Sequence, residues 1–309
     1  MKALKSFAVI NALVITLFSS QSVFARKKCQ MDVSTNNISL TLGSFGSTVP
    51  GSVSMVRRKS ADSFICYMYS YGFGTGNANS FTRFLVNSRG ERIYYNLFKN
   101  GNKIVEISDQ TPISTTFWGW SIGNQPAVKS FDLKVETNSN STYPAGTYSD
   151  SIAVKLYSGL PGSPLVLEDT KNFTISLNIP SEISLSLVDV GSAFDPADTH
   201  QTMDFGELTT GESMEADLKV LSNSGYRIYM ESANKGKLEN ISEKSKISYD
   251  LFINGAKKRL KKKKSEVAEG SGSTPTSGEN HRIRVVIGNV SGAKAGVYTD
   301  NITITAEAK

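Results

Sequence analysis

The chain has 309 residues, of which 39% are hydrophobic and 20% are charged, and its formal net charge is +6. This length allows two domains with cores of their own, and this composition excludes a mainly disordered chain. The sequence contains two histidines and no common nucleophile, P-loop or metalloprotease motif, so we expect neither an enzyme nor a bound cofactor.

The first 25 residues predict an export signal. Lys2 and Lys5 precede an apolar run over residues 7–18, and a V-F-A sequence that ends at Ala25 fits a cleavage site. The apolar run is too short to cross a bilayer, and no later segment of the sequence is longer, so we expect no transmembrane segment. The alternative for these residues is a buried N-terminal helix.

The two cysteines, Cys29 and Cys66, predict a disulfide, because an even pair in an exported chain becomes oxidised. Such a bond would stabilise the fold by about 4 kcal/mol in the chain-entropy description. The alternatives are a zinc site and a Cys–His nucleophile pair, and both would need His200 or His281. These histidines lie far from the cysteines in the sequence and do not match a usual zinc site, so we expect no metal.

Two stretches of the first half are rich in aromatic residues. Tyr67, Tyr69 and Tyr71 alternate as strand residues do and lead into the glycine-rich residues 72–76, and the second stretch is FWGWS at 117–121. Aromatic side chains on exposed loops are the usual material of binding hot spots. The alternative for the alternating tyrosines is a place in the core. The residues expected to contact a surface are Phe73, Phe117, Trp118 and Trp120.

Two motifs occur twice, in the same order and at nearly the same spacing. The motif I-x-Y-[ND]-L-F-x-N-G lies at residues 93–101 and 247–255, and the motif A-G-x-Y-x-D lies at residues 145–150 and 295–300. A repeat of this kind predicts a duplicated domain.

Short alternating runs separated by Gly, Ser, Thr and Asn, without helical periodicity, predict β-structure throughout the mature chain. We therefore expect an all-β fold with two tandem immunoglobulin-like Greek-key β-sandwiches. Domain one is expected at residues 26–179 and domain two at residues 181–309, with Pro180 at the joint.

Residues 171–180 alternate strictly between apolar and polar side chains, which predicts a half-buried strand. The stretch follows the last repeated motif of the first half and has no counterpart in the second. We expect it to fold back as the closing strand of domain one, whereas the C-terminal sandwich should lack its last strand. The alternative is a linker strand. The apolar residues of the closing strand are Phe173, Ile175, Leu177 and Ile179.

Residues 257–264 form a basic loop with seven cationic side chains, and a low-complexity run from Gly270 to Gly278 follows. Removing the signal would lower the net charge from +6 to +4, so the charge of this loop exceeds that of the mature chain. In a cytosolic protein such a run indicates nucleic acid binding. In an exported chain we expect a solvated insertion and no nucleic acid partner, with contact to anionic surface polymers as the alternative. The cations are Lys257, Lys258, Arg259, Lys261, Lys262, Lys263 and Lys264.

These features together resemble the spore coat protein U domain, the pilin module of archaic (Csu-type) chaperone-usher pili. The resemblance rests on the two cysteines, the Y-[ND]-L-F motif, the Trp118-Gly119 element and the A-G-x-Y-x-D strand, and it covers domain one well. Trp118 falls where the family has a characteristic tryptophan, so a structural role is its alternative. Domain two keeps Phe205-Gly206 and both repeated motifs but lacks the cysteines and the tryptophan, so it resembles a diverged copy.

The resemblance implies incomplete sandwiches, whose missing strand comes from the N-terminal extension of a neighbouring pilus subunit or from a periplasmic chaperone before assembly at an outer-membrane usher. It also implies export through the periplasm to the surface of a Gram-negative bacterium. Domain two reaches Lys309 directly after its last motif strand, and few mature residues precede Cys29. We therefore expect the chain to accept a strand and to donate none.

Two functions remain open from the sequence. In related pili the two-domain subunit at the tip is the adhesin, which implies attachment to abiotic or host surfaces. The alternative is a structural shaft or coat subunit without receptor-binding activity, and a further one is a self-contained secreted protein whose second domain is closed by an unrecognised strand.

Overall fold

The computed structural model of the chain describes residues 29–58, 66, 68–78, 80–99, 101–103, 117–120, 126–136, 143–159 and 165–309. In these ranges the backbone forms mainly strands and turns, and Leu42–Ser44 forms a short 3-10 helix. The prediction of an all-β fold is confirmed. The predicted export signal lies outside the described residues, and no helix within them is long and apolar enough to cross a membrane.

The first half of the chain, domain one, contains eleven strands in its described part. They are β1 (Met31–Thr35), β2 (Ile38–Leu40), β3 (Thr48–Arg57), β4 (Met68–Phe73), β5 (Arg83–Val86), β6 (Arg92–Lys99), β7 (Asn102–Lys103), β8 (Phe117–Trp120), β9 (Ala127–Val135), β10 (Gly146–Ser158) and β11 (Val166–Ile179). One layer has the order β1-β3-β9-β6, and the other has the order β8-β4-β10-β11-β2. Strand β5 pairs with β6 and also bridges to β10, and it thereby links the two layers.

The second half, domain two, continues with nine strands. They are β12 (Ile183–Val188), β13 (Ser213–Ser222), β14 (Tyr226–Ser232), β15 (Lys237–Glu239), β16 (Lys246–Ile253), β17 (Ala256–Lys258), β18 (Ser265–Gly270), β19 (Glu279–Ile287) and β20 (Ile302–Ala308). One sheet has the order β12-β13-β19-β16-β15, with β17 beside β16, and the other has the order β18-β14-β20. Apolar side chains of both sheets meet in a core separate from that of domain one.

The two repeated motifs supply the two ends of one hydrogen bond in each domain. In domain one the Tyr95 hydroxyl donates to Asp150 Oδ2 at 2.6 Å, and in domain two the Tyr249 hydroxyl donates to Asp300 Oδ2 at 2.7 Å. Asp150 also accepts the backbone N–H of Asn77 at 2.7 Å. A buried carboxylate needs such partners, because leaving it without them would cost several kcal/mol. In each domain, therefore, the tyrosine of the first motif donates a hydrogen bond to the aspartate of the second motif.

The predicted disulfide between Cys29 and Cys66 is confirmed, and the two Cα atoms lie 5.3 Å apart. The backbone N–H of Cys29 donates to Glu168 Oε1 at 2.9 Å, and the Ser158 hydroxyl reaches the same oxygen. The first described residue of the chain is thereby tied to β10 and β11.

Residues 265–270, between the basic loop and the rest of the low-complexity run, belong to the sandwich. They form β18, which pairs with β14, and Val267 and Gly270 are buried. A Cβ atom at Gly270 would lie 2.3 Å from the ring of Tyr226, so the close approach requires glycine. The register places Gly270 opposite Tyr226, as it places Gly119 opposite Tyr69 in domain one. Domain two thus keeps the glycine of the Trp-Gly element without its tryptophan.

The substitution Phe173→Ala should lower the free energy of unfolding of domain one by about 3–5 kcal/mol. Phe173 is 2% exposed and packs against the rings of Phe73 and Phe131, so its removal leaves a cavity in the core. Denaturation followed by tryptophan fluorescence reports domain one alone, because both tryptophans of the chain lie in β8. The control Leu167→Ala, on an exposed position of the same strand, should change the value by less than about 0.5 kcal/mol. Equal losses for both variants would contradict the role of β11 in the core.

Candidate functional site

In domain one, the strand that carries the A-G-x-Y-x-D motif is paired along both edges. Strand β4 lies on one side of β10, and β11 runs antiparallel along the other side from Gly146 opposite Ile179 to Ser158 opposite Val166. Strand β2 then pairs with β11 in parallel and covers its outer edge. The four apolar residues expected on the closing strand, Phe173, Ile175, Leu177 and Ile179, all lie in the core.

In domain two, the corresponding strand β20 is paired along one edge only. It runs antiparallel to β14, from Ile302 opposite Ser232 to Ala308 opposite Tyr226. No strand of the described residues lies along its other edge. The backbone groups on that edge therefore remain open to another strand, as at the edge of any unfinished sheet.

Side chains at equivalent positions differ in burial between the two domains. Three apolar residues of β10 are fully buried, whereas the residues at the same motif positions in domain two are only partly buried. The difference follows from β11, which covers the first set and has no described counterpart in domain two. The pairs are Tyr148 and Tyr298, Ile152 and Ile302, and Val154 and Ile304.

An apolar groove of about 1090 Å³ lies beside the open edge of β20. Residues 199–208 and 293–302 contribute to its lining. Strand β20 extends over about 23 Å at the usual rise per residue, so the groove accommodates a strand of seven to nine residues. The apolar side chains lining it include Leu187, Ala216, Met230, Ile247, Ile283 and Val285.

The segment before β20, at one end of the groove, makes the same tyrosine hydrogen bond as the equivalent segment of domain one. The Tyr298 hydroxyl donates to the Lys294 carbonyl at 2.8 Å, just as the Tyr148 hydroxyl donates to the Pro144 carbonyl at 2.8 Å. Asn240 Nδ2 donates to the Ala295 carbonyl at 3.2 Å. The open groove is thus pre-formed, and a strand that enters it meets an ordered edge.

Phe73 does not lie on an exposed loop, so its interpretation as a surface-binding residue is wrong. Its side chain is 0% exposed, since it continues the inward-facing series of Tyr69 and Tyr71 on β4. The next residue is fixed as well, because the Gly74 N–H donates to the Ala153 carbonyl at 2.8 Å. The period-2 pattern of the tyrosines extends to residue 73 in the sequence, and it would have predicted this outcome.

Phe117, Trp118 and Trp120 lie on β8, which pairs with β4 and with no other described strand. The register places Trp118 opposite Ser70 and Phe117 opposite Tyr71. Their side chains lie outside the described residues. The three aromatic residues therefore share a strand whose second edge has no partner among the described residues, and their contact with a surface stays a prediction.

Residues 15–155 match the family model of the Spore Coat Protein U domain. These residues are similar to the Spore Coat Protein U domain, and the match covers less than half of the chain. The match ends within β10, so β11 and domain two lie beyond the matched part of the Spore Coat Protein U domain. No curated protein sequence matches the chain.

Three solved structures are similar to the chain over most of its length. The complex of CsuC with the tip subunit CsuE from archaic chaperone-usher Csu pili of Acinetobacter baumannii has 12% identity and a TM-score of 0.39, and the match covers 90% of this chain and 99% of that one. A mutant of the CFA/I adhesin CfaE of enterotoxigenic E. coli has 15% identity and a TM-score of 0.44, and the match covers 88% of this chain and 92% of that one. The CupB6 tip adhesin of Pseudomonas aeruginosa has 11% identity and a TM-score of 0.40, and the match covers 88% of this chain and 94% of that one.

The strand β19, which lines the groove, also holds a buried histidine, His281. Its Nε2 lies 2.8 Å from the Tyr226 hydroxyl and its Nδ1 lies 3.2 Å from Asn254 Nδ2. Because the amide of Asn254 can only donate through this nitrogen, Nδ1 must accept and the neutral ring fits. Burial lowers the pKa of His281, and the nearby Glu279 carboxylate opposes this effect.

Domain two should lose stability as the pH falls below about 6.5. Below that pH the unfolded chain binds a proton at His281 more readily than the folded chain does, so the stabilising contribution is fully present above pH 6.5 and decreases with acidification. Denaturation of the chain at pH 7.5 and pH 5.5, followed by far-UV circular dichroism, measures the difference. The variant His281→Gln should remove this pH dependence, whereas His200→Gln, on an exposed residue, should retain it. The same slope in both variants would contradict the assignment to His281.

Proposed function

We propose that this protein is the tip adhesin of a chaperone-usher pilus and is joined to the shaft by a strand that another subunit inserts beside β20. The observation that carries this proposal is the contrast between β10, which is covered by β11, and β20, whose equivalent edge is open beside an apolar groove. The match of residues 15–155 to the Spore Coat Protein U domain supports it.

The physical reason for strand insertion is that one added strand satisfies two needs. The open edge of β20 presents unpaired backbone N–H and C=O groups, and the groove presents apolar side chains to water. A strand with alternating apolar residues forms hydrogen bonds with the open edge of β20 and fills the groove with its apolar side chains. The inserted strand therefore does for domain two what β11 does for domain one.

Strand β11 also indicates the sequence that the groove should prefer. In domain one Leu177 lies opposite Tyr148 and Phe173 lies opposite Ile152. By the repeat, an inserted strand antiparallel to β20 should place apolar side chains opposite Tyr298 and Ile302. A large side chain should fit best at the second position.

Before insertion, the open edge needs protection, because an exposed apolar edge strand promotes aggregation. A periplasmic chaperone that supplies a temporary strand would give this protection, and an outer-membrane usher would be the place of exchange. On this proposal the protein is exported and ends at the cell surface. Its partners are then the chaperone, the usher and the subunit that donates the strand.

The tip position is supported by the way in which domain one is closed. Its edge is filled by β11, and this strand leads directly into domain two through Pro180, so β11 is not available to another subunit. A single open groove in domain two then orients the protein, with domain one outward. We propose that Phe117, Trp118 and Trp120 on the edge strand β8 contribute to attachment to abiotic or host surfaces.

A peptide with the sequence of residues 171–180, KNFTISLNIP, should bind the groove and stabilise domain two. At a concentration of 100 times its Kd, binding adds about 2.7 kcal/mol to the free energy of unfolding. The measurement is the thermal unfolding of the chain from Arg26, followed by far-UV circular dichroism, with tryptophan fluorescence to show that domain one is unchanged.

The matched control peptide has Asp in place of the residues corresponding to Ile175 and Leu177. It should give no shift, because charged side chains would enter the apolar groove. Equal shifts for both peptides, or no shift for either, would contradict the groove as a strand-binding site.

The double variant Trp118→Ser and Trp120→Ser should form fibres normally but attach to surfaces several-fold less than the unchanged protein. Attachment is counted after the fibres have been confirmed by electron microscopy, and Val128→Ser, which removes an exposed apolar residue elsewhere in domain one, is the control. Unchanged attachment with normal fibres would remove these residues from the proposal. Immunogold labels along the whole shaft, rather than one at the distal end, would favour a structural shaft subunit.

A further inference from the structure

Domain two carries a basic patch on the basic loop and on the neighbouring turn between β14 and β15. Two contacts bring these segments together: the Ser232 N–H donates to the Lys261 carbonyl at 2.8 Å, and Leu260 is buried beside Gly236. The loop is therefore fixed to the sandwich and presents its charges from a defined position. The residues of the basic patch are Lys235, Lys237, Lys258, Arg259, Lys261, Lys262 and Lys263.

The two outer cations of the loop differ from those of the patch. Lys257 Nζ lies 2.7 Å from Asp250 Oδ2, and Lys264 pairs with Glu307 and lies over the ring of Tyr229. The seven residues of the basic patch have no carboxylate partner among the described residues. Charges of one sign that are held close together repel one another, so the stability of domain two does not explain the patch.

The basic patch lies beside the end of β14 that is away from the joint with domain one. Strand β14 begins near Asn223, which accepts the Ala145 N–H of domain one at 2.8 Å, and it ends about 20 Å away at Ser232. The turn that follows contacts the basic loop through Ser232 and contacts the approach to β20 through Ala233, whose N–H donates to the Asn301 carbonyl at 2.9 Å. The patch and the start of β20 therefore flank the same turn.

An inserted strand would leave the groove at this same end. A strand antiparallel to β20 begins beside Ala308 and finishes beside Gly296, as β11 finishes beside Gly146 in domain one. In domain one, the chain continues from that point straight into the next folded domain, across Pro180. By analogy with this joint, the body of the donating subunit should lie directly beyond the end of a filled groove.

We propose that the basic patch is a docking surface for an acidic face of the subunit whose strand fills the groove. This inference rests on the proposed function. The basic loop leads into β18, which lies on the far side of β14 from β20, so a strand inserted along the open edge of β20 is added at the opposite side of this sheet from β18. Opposite charges at this junction would speed the encounter with the correct subunit and reject subunits with a basic face.

The test uses three peptides that share residues 171–180, followed by a six-residue Gly-Ser spacer and a tail of six Glu, six Ser or six Lys. The spacer covers roughly 14 Å, which corresponds to three strand spacings between the groove and the patch. At low salt the Glu-tailed peptide should bind the chain about tenfold more tightly than the Ser-tailed peptide, as expected of a few exposed ion pairs, and the Lys-tailed peptide should bind more weakly. The differences should vanish in about 0.5 M salt.

Two variants with equal loss of charge separate the patch from a general charge effect. The patch variant should lose the preference for the Glu tail and retain its affinity for the Ser-tailed peptide, whereas the control variant on domain one should keep the preference. The patch variant carries K261Q, K262Q and K263Q, and the control variant carries K129Q, K134Q and K171Q.

Each outcome decides between the proposals. If the Ser-tailed peptide binds and the Glu tail adds nothing, the docking surface is wrong and the groove stands. If none of the three peptides binds, the groove and the docking surface are both wrong. If the Glu tail adds nothing but phosphatidylglycerol vesicles bind the unchanged chain and not the patch variant, the basic patch is a membrane-binding surface instead.

Discussion

The structure depends on what lies along the second edge of the strand that carries the A-G-x-Y-x-D motif. In domain one β11 pairs with β10 over its whole length and brings Phe173, Ile175 and Leu177 into the core. In domain two the same edge of β20 is open, and Tyr298 and Ile302 remain partly exposed beside the groove. A sandwich needs both edges of its layers closed to bury its core and to satisfy its backbone. In domain one β11 closes this edge, whereas in domain two no described strand does.

The duplication preserves the parts that hold this edge strand in place. In each domain the motif aspartate accepts a tyrosine hydroxyl, and the glycine before the strand lies beside an asparagine, Asn87 in the first domain and Asn240 in the second. The domains differ beside β14 and its equivalent β4. Domain one has the buried Arg83, which donates to the carbonyls of Phe73 and Gly74, and domain two has the short turn before β15. The contacts that hold the edge strand are therefore the same in both domains, and the differences lie beside them.

The joint between the two domains gives the chain a direction. Asn223 accepts the Ala145 N–H, its side-chain amide donates to the Pro180 carbonyl at 3.0 Å, and its side-chain oxygen accepts the Glu182 N–H at 2.8 Å. These bonds fix the linker at the end of domain one where β11 leaves its sheet. The groove of domain two opens toward the opposite end, where the basic patch lies. The joint and the basic patch thus lie near opposite ends of β14.

The sequence by itself determined the β-strands, the duplicated motifs and the pairing of Cys29 with Cys66, because strand period, turn residues and cysteine count are local signals. It also placed the four apolar residues of β11 on one face. Only the tertiary structure decided which way that face points, that Phe73 is internal, and that β18 completes a sheet. These facts depend on which strands become neighbours, and pairing between distant strands leaves no mark in the local pattern. Close approach, as of Gly270 to Tyr226, is visible only once the partners are in place.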